Sequence, residues 1–170
     1  MEGHFLNSGI MSFDIMQTIL GEKIQLFSDG RRAWNQRFLW RKILSDHSLQ
    51  TWILDLIRED QLFKEGIDED GEVIGYYSDM TSRINPSKKF NTHYTLKDTG
   101  EFFSTFKIVV YPTYFEIDAD AWKTNDEGET ENLFYKYGEG IIGLTNENLE
   151  KLGQEILRRF SKGVRDYFKI

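Results

Sequence analysis

An α+β fold, a small antiparallel sheet packed against N-terminal helices and a long C-terminal helix, follows from three features of this 170-residue sequence. Leu49 to Phe63 and Leu149 to Val164 carry apolar residues at helical spacing. Tyr114 to Ala119 alternates apolar and acidic residues, as a strand with one wet face does. The 13 Phe, 8 Tyr and 4 Trp supply the bulk for one dense core.

In chain order, residues 1–12 mix glycine, asparagine and serine with isolated apolar residues and read as a flexible arm, leaving 13–170 as a single domain. Ser12 to Leu20 has the length of a short helix stopped by Gly21. A helix over 31–44 turns Ala33, Gln36, Leu39, Trp40, Ile43 and Leu44 to the core and sets Trp34 and Phe38 beside Arg31, Arg41 and Lys42 on the other side. Ser45, Asp46 and Ser48 are cap candidates for the next helix, whose stripe is Leu49, Trp52, Ile53, Leu56, Ile57 and Phe63, with Gly66 as its stop. Asp70-Gly71 turns into a short strand over Glu72 to Tyr77, and Ser78 to Lys89, lacking any period, reads as a loop.

Asp98-Thr99-Gly100-Glu101 opens a short helix anchored by Phe102, Phe103 and Phe106, with Asp98 as cap. Two strands, Phe106 to Tyr111 and Tyr114 to Ala119, surround the Pro112-Thr113 turn. Asp120 to Glu131 reads as an exposed acidic loop, and Leu133 to Tyr137 returns to apolar residues. The last helix begins at Thr145, acidic early and basic late as the helix dipole prefers, with Leu149, Leu152, Ile156, Phe160 and Val164 inward.

Charge narrows the function. The net charge of -7 argues against a general nucleic-acid binder. Its distribution is uneven: Arg31 to Lys42 holds five basic residues and no acid, Glu116 to Glu131 holds seven acids against Lys123, and from Lys151 to Ile170 six basic residues face only Glu155 and Asp166. Such separation of sign suits contact between unlike surfaces, as of neighbouring copies, with solvated charge runs as the commoner cause of such a pattern. The absence of cysteine excludes disulfides, thiolate zinc sites and cysteine nucleophiles. With no 18-residue apolar run and no basic-then-apolar start, neither a membrane span nor a secretory signal is expected, which keeps the protein inside a cell or a particle.

Motifs for chemistry are sparse. Gly138-Glu139-Gly140-Ile141-Ile142-Gly143 has the spacing of a dinucleotide loop, but no second strand with an acid about 20 residues on can follow it, so a glycine-permitted turn before a capped helix is the expectation. Asp68-Glu69-Asp70-Gly71-Glu72 lacks the glycine and glutamate positions of a calcium hand. His4, His47 and His93 are scattered, and Asp118 and Asp120 share a strand face where two carboxylates could hold a metal or share a proton, although so acidic a segment reads first as solvated charge. No catalytic residue, cofactor or metal is therefore assigned, and an enzyme built on Asp118, Asp120 and His93 ranks behind the binding readings.

From Asp98 onward the order of signals resembles the bacteriophage virion-morphogenesis proteins, minor components that complete the tail or join it to the head. The residues that carry the resemblance are Thr99-Gly100 with Phe102, Phe103 and Phe106, then two strands, a polar loop, Tyr137-Gly138, and Gly143-Leu144-Thr145 before the final helix. Gln61-Leu62-Phe63, the Gly66 to Gly71 turn and Gly75-Tyr76-Tyr77-Ser78 are similar to versions in phages of Bacteroides-type hosts. The resemblance implies a virion protein of the neck or tail, made in the host cytoplasm. It would assemble as a six-fold or twelve-fold ring around the DNA channel against portal, adaptor or tail proteins. Tail terminator, tail-completion protein and portal adaptor all remain open.

In such a ring a junction surface is expected at the acidic loop with Asp126, Glu127 and Glu129 or at the basic last helix with Arg158 and Arg159. The alternative is a monomeric adaptor that binds one partner through Arg31, Trp34, Phe38, Arg41 and Lys42.

Overall fold

The computed structural model of the chain describes residues 10–14, 36–112, 114–124, 128 and 130–168. Helix α1 spans Gln36–Leu44 and helix α2 spans His47–Asp55. Asp46 starts α2: its carboxylate accepts from the Leu49 amide at 3.1 Å and from the Ser48 hydroxyl. Without interruption α2 continues as a π-helical segment, Leu56–Glu65, closed by Gly66 at φ 66°. A π turn holds more residues than an α turn, so the inward stripe drifts. Leu56, Ile57, Gln61 and Leu62 are buried, whereas Phe63, on the stripe that helical spacing predicts, is 43% exposed.

Past Gly66 the chain makes two isolated bridges, Ile67 with Val73 and Tyr76 with His93, in place of the strand expected over Glu72 to Tyr77. Gly75 breaks the extended run at φ 146°, where the Tyr94 ring covers its Cα. The segment expected to be a loop contains helix α3, Asp79–Ile84, because Ser78 accepts from the Thr81 amide at 3.1 Å and Asp79 and Arg83 suit the two ends of the helix.

Helix α4, Glu101–Thr105, begins at Gly100 in the left-handed region at φ 82°. Asp98 is not its cap; that carboxylate binds Lys88 at 3.0 Å and Lys123 at 2.7 Å, and both cations hold its pKa down, Lys123 foremost. Phe102, Phe103 and Phe106 pack edge to face in the core, as expected.

Three strands form one antiparallel sheet: β1 (Ile10–Asp14), β2 (Lys107–Val110) and β3 (Tyr114–Asp118), in the order β1-β3-β2. The β2–β3 hairpin is the predicted one, with Ile108 opposite Ile117 and Val110 opposite Phe115. Phe115, Ile117 and Ala119 point inward, and Glu116 and Asp118 are half-buried. Strand β1 corrects two expectations, an arm through residue 12 and a helix from Ser12. Ile10 to Asp14 instead pairs along the other edge of β3, whose open amides and carbonyls outweigh a weak local helix preference. Residues 15–20 lie outside the described residues.

The acidic stretch is also more ordered than a loop: β4 (Trp122–Thr124) pairs with β5 (Thr130–Asn132). Asn132 then caps helix α5, Leu133–Tyr137, accepting from the Phe134 and Tyr135 amides at 2.9 and 3.2 Å. A single 3-10 turn, Glu139–Ile142, leads to the long helix α6, Asn146–Phe168. Leu152, Ile156 and Phe160 of α6 are buried, with Leu149 and Val164 at the margin.

One core joins these elements, from Trp40, Ile43 and Leu44 through Leu49, Ile53 and Ile57 to Ile141, Ile142 and Ile156. Each such side chain contributes about 1.5–3 kcal/mol on burial. Helix α1 lies against the C-terminal half of α6. Trp40 stacks on Phe160 with ring centroids 5.1 Å apart, and Leu39 fills the space over Gly163, where a Cβ would come within 2.7 Å of it.

Candidate functional site: interaction surfaces

The glycine turn is occupied by the protein itself. Glu69, at the tip of the acidic turn, donates its amide to the Gly140 carbonyl at 3.0 Å and lays its side chain over Gly140 and Gly143. A Cβ on Gly143 would lie 2.7 Å from the Glu69 Cβ, so glycine there is a packing requirement. Burial of the Glu69 carboxyl, then the nearby Asp70 and Asp68, push its pKa up. A carboxylate in this position opposes an anionic phosphate, which agrees with setting aside the dinucleotide reading. The Asp68 carboxylate is also internally used, accepting from the Asp70 and Glu72 amides at 3.0 Å.

Gln61 joins the π segment to the start of α6. At 1% exposure it donates to the Gly143 carbonyl at 3.0 Å and accepts from the Thr145 amide at 3.1 Å and from Asn148 Nδ2 at 2.7 Å. A polar side chain buried this deeply needs partners, and both the nitrogen and the oxygen of Gln61 have them. Helical spacing alone gave no reason to place it inside.

Asp118, Asp120 and His93 make separate contacts. Asp118 pairs with Lys107 at 2.9 Å, Asp120 accepts from the Trp122 amide at 3.0 Å, and His93 Nε2 bonds the Phe63 carbonyl at 3.2 Å. Among the described residues no group of three or more His, Asp or Glu is placed to hold a metal ion. Nor is any helix among them long and apolar enough to cross a membrane.

The residues assigned to interfaces divide. Arg31, Trp34, Asp126, Glu127 and Glu129 lie outside the described residues, and Phe38 is described by its place in α1 alone. Arg41 and Lys42 are exposed in the last turn of α1. Arg158 is exposed and grips Glu155 with two hydrogen bonds of 2.7 Å. Arg159 faces inward to a joint of the fold: it binds Glu155 at 2.6 Å, Asp46 at 3.0 Å and Ser48 at 3.1 Å, tying α6 to the cap of α2. These contacts set the acids' titration. Glu155 is held at about 2 by Arg158, against burial and with help from Arg159; Asp46 is held at about 2 by Ser48, the Leu49 amide and Arg159.

Sequence reasoning missed one surface. Residues 78–91 leave and rejoin the body at one neck, closed by the Tyr77 amide on the Thr92 carbonyl at 2.9 Å and the Asn91 amide on the Tyr77 carbonyl at 3.0 Å. No α3 residue is buried, and Met80 is 72%, Ile84 77%, Phe90 64% and Tyr76 55% exposed. The available signal was Ser78-x-x-Thr81 beside apolar residues four apart at 80 and 84.

Comparison of the chain with protein-family models, with curated proteins and with solved structures finds no match.

Proposed function

We propose that this chain is a structural, non-catalytic subunit of a bacteriophage neck or tail, assembling as a six- or twelve-fold ring against portal, adaptor or tail proteins around the passing DNA. The observation that supports it most is the order of elements after Asp98. A short phenylalanine-anchored helix after Thr99-Gly100, an antiparallel strand pair, Tyr137-Gly138 and a long helix entered through Gly143-Leu144-Thr145 occur in that order, which supports the reading; the polar loop of the family pattern is here a short hairpin.

The surface chemistry supports the same reading. Net negative charge discourages adhesion to DNA moving through a conduit. Neighbours in a ring meet through two different surfaces, which suits the separation of acidic and basic segments. Arg158 is the member of the basic pair free of a structural duty across elements, so it is the one to reverse in an assembly test.

The experiment is to label purified virions with an antibody raised against this chain and image them. Label confined to the neck or tail supports the proposal; unlabelled particles, with the chain recovered only from the lysate supernatant, overturn it.

A further inference from the structure

Residues 78–91 are held in shape by their own contacts. Ser78 caps α3, the Asp79–Arg83 pair spans it at 2.7 Å, and Asn85, extended before Pro86, ends it. The Asn85 side chain then accepts from the Ser87 amide at 3.1 Å and its carbonyl from the Lys88 amide at 2.9 Å, which folds the chain back toward the neck. Asn91, in the left-handed region at φ 59°, turns it into Thr92, and asparagine is one of the few residues that accept this backbone at low cost.

The grip on the body is slight by comparison. None of residues 78–91 is buried, so no apolar core holds the excursion down. Among the described residues, one hydrogen bond or ion pair runs from 78–91 to a residue outside 77–92: Lys88 Nζ binds Asp98 at 3.0 Å. The half-buried Lys88 also sets its ammonium 5.8 Å from the centre of the Tyr77 ring, at the neck. Asp98 is fixed from its other oxygen by Lys123 of β4 at 2.7 Å, which gives Lys88 a positioned carboxylate to bind. An ordered segment without burial, joined by two backbone hydrogen bonds at its neck and one ion pair beyond it, opens locally at a free energy far below that of global unfolding.

We infer that residues 78–91 are an arm that opens at the Tyr77–Asn91–Thr92 neck, and that the Lys88–Asp98 pair is the latch that keeps it closed. Opening lifts Lys88 from the Tyr77 ring and uncovers that ring beside Tyr94, on which it packs edge to face with centroids 4.9 Å apart. It also carries the exposed Met80 and Ile84 away from the body. The latch is an ion pair near the surface, so it is weak and salt-sensitive, and its loss shifts the balance toward the open arm by about two- to fivefold.

Amide hydrogen exchange followed by NMR tests this at the two neck amides, Tyr77 and Asn91, whose hydrogen bonds break when the arm opens. Lys88→Gln isolates the latch because it leaves the Asp98–Lys123 pair in place. It is expected to speed exchange of both neck amides about two- to fivefold, while the core amides of Ile53 and Ile156 keep their wild-type rates. Asp98→Asn is expected to do the same at the neck, and Lys88→Gln/Asp98→Asn to add nothing to either alone. Raising salt from about 0.05 to 0.5 M should bring wild type toward Lys88→Gln, because screening weakens the latch that only wild type has. Neck amides in wild type as fast as in an unstructured peptide, neck amides unchanged in Lys88→Gln, an acceleration shared equally by Ile53 and Ile156, or additive effects in the double variant overturns the inference.

Discussion

Asn148 donates its side-chain amide to Gln61 Oε1 at 2.7 Å across 87 positions of sequence, with both residues buried. This bond, with those from Gln61 to Gly143 and from Thr145 to Gln61, fixes the first turn of α6 against the π segment. The long helix is thus oriented from its N-terminus by one polar side chain.

Replacing Gln61 by Leu fills similar space but strands the Asn148 amide and two backbone groups. The expected loss is at least about 3 kcal/mol, each of the three orphans costing about 1–3 kcal/mol. Urea unfolding followed by tryptophan fluorescence checks it, and Gln61→Leu/Asn148→Leu is expected to recover part of the loss.

Gly143→Ala is expected to destabilise by about 1–3 kcal/mol, the usual range for overpacking a filled space. The obstacle is the Glu69 side chain. In a Glu69→Gly background, which removes the Glu69 Cβ as well as its carboxylate, the same substitution should cost much less, and a double-mutant cycle by thermal unfolding reads the difference.

Acid should loosen the junction of α2 and α6. Asp46 and Glu155 have folded pKa values near 2, below the ordinary carboxylate range, so their contribution is whole above about pH 4.5 and is lost as pH falls toward 2. Asp46→Asn keeps a good cap and removes the titrating charge. Its stability, measured by urea unfolding at several pH values, should fall less steeply below pH 4.5 than that of wild type.

Glu69 has the opposite sign. Its folded pKa is raised, so the ionised form is penalised at neutral pH and the penalty is relieved as pH falls through that raised value to the ordinary one. Glu69→Gln is expected to raise the melting temperature at pH 7 and to match wild type near pH 4.

The elements legible in the sequence are those whose signal is local. The inward stripe of α6, the alternation of Phe115 and Ile117, and the phenylalanines of α4 follow from spacing, and the structure buries them as spacing requires. Phe63 and Gln61 changed places because a π-helical segment has a different period from the α-helix used to read it. Strand β1 was hidden because its cause is an open edge of β3 more than a hundred residues away. Arg159 looked like a surface charge because the acid and hydroxyl that hold it, Asp46 and Ser48, belong to another helix. Helix α3 was missed because its one cap and one apolar pair at Met80 and Ile84 make less than two turns of pattern, and no buried residue marks a core face.

The most direct test of the proposed function is the mass of the purified protein by light scattering, across a concentration series and with a portal protein added. A species of six or twelve copies, alone or on addition of portal, is the predicted result. A protein that never assembles into a closed ring and ignores portal at every concentration would contradict the account.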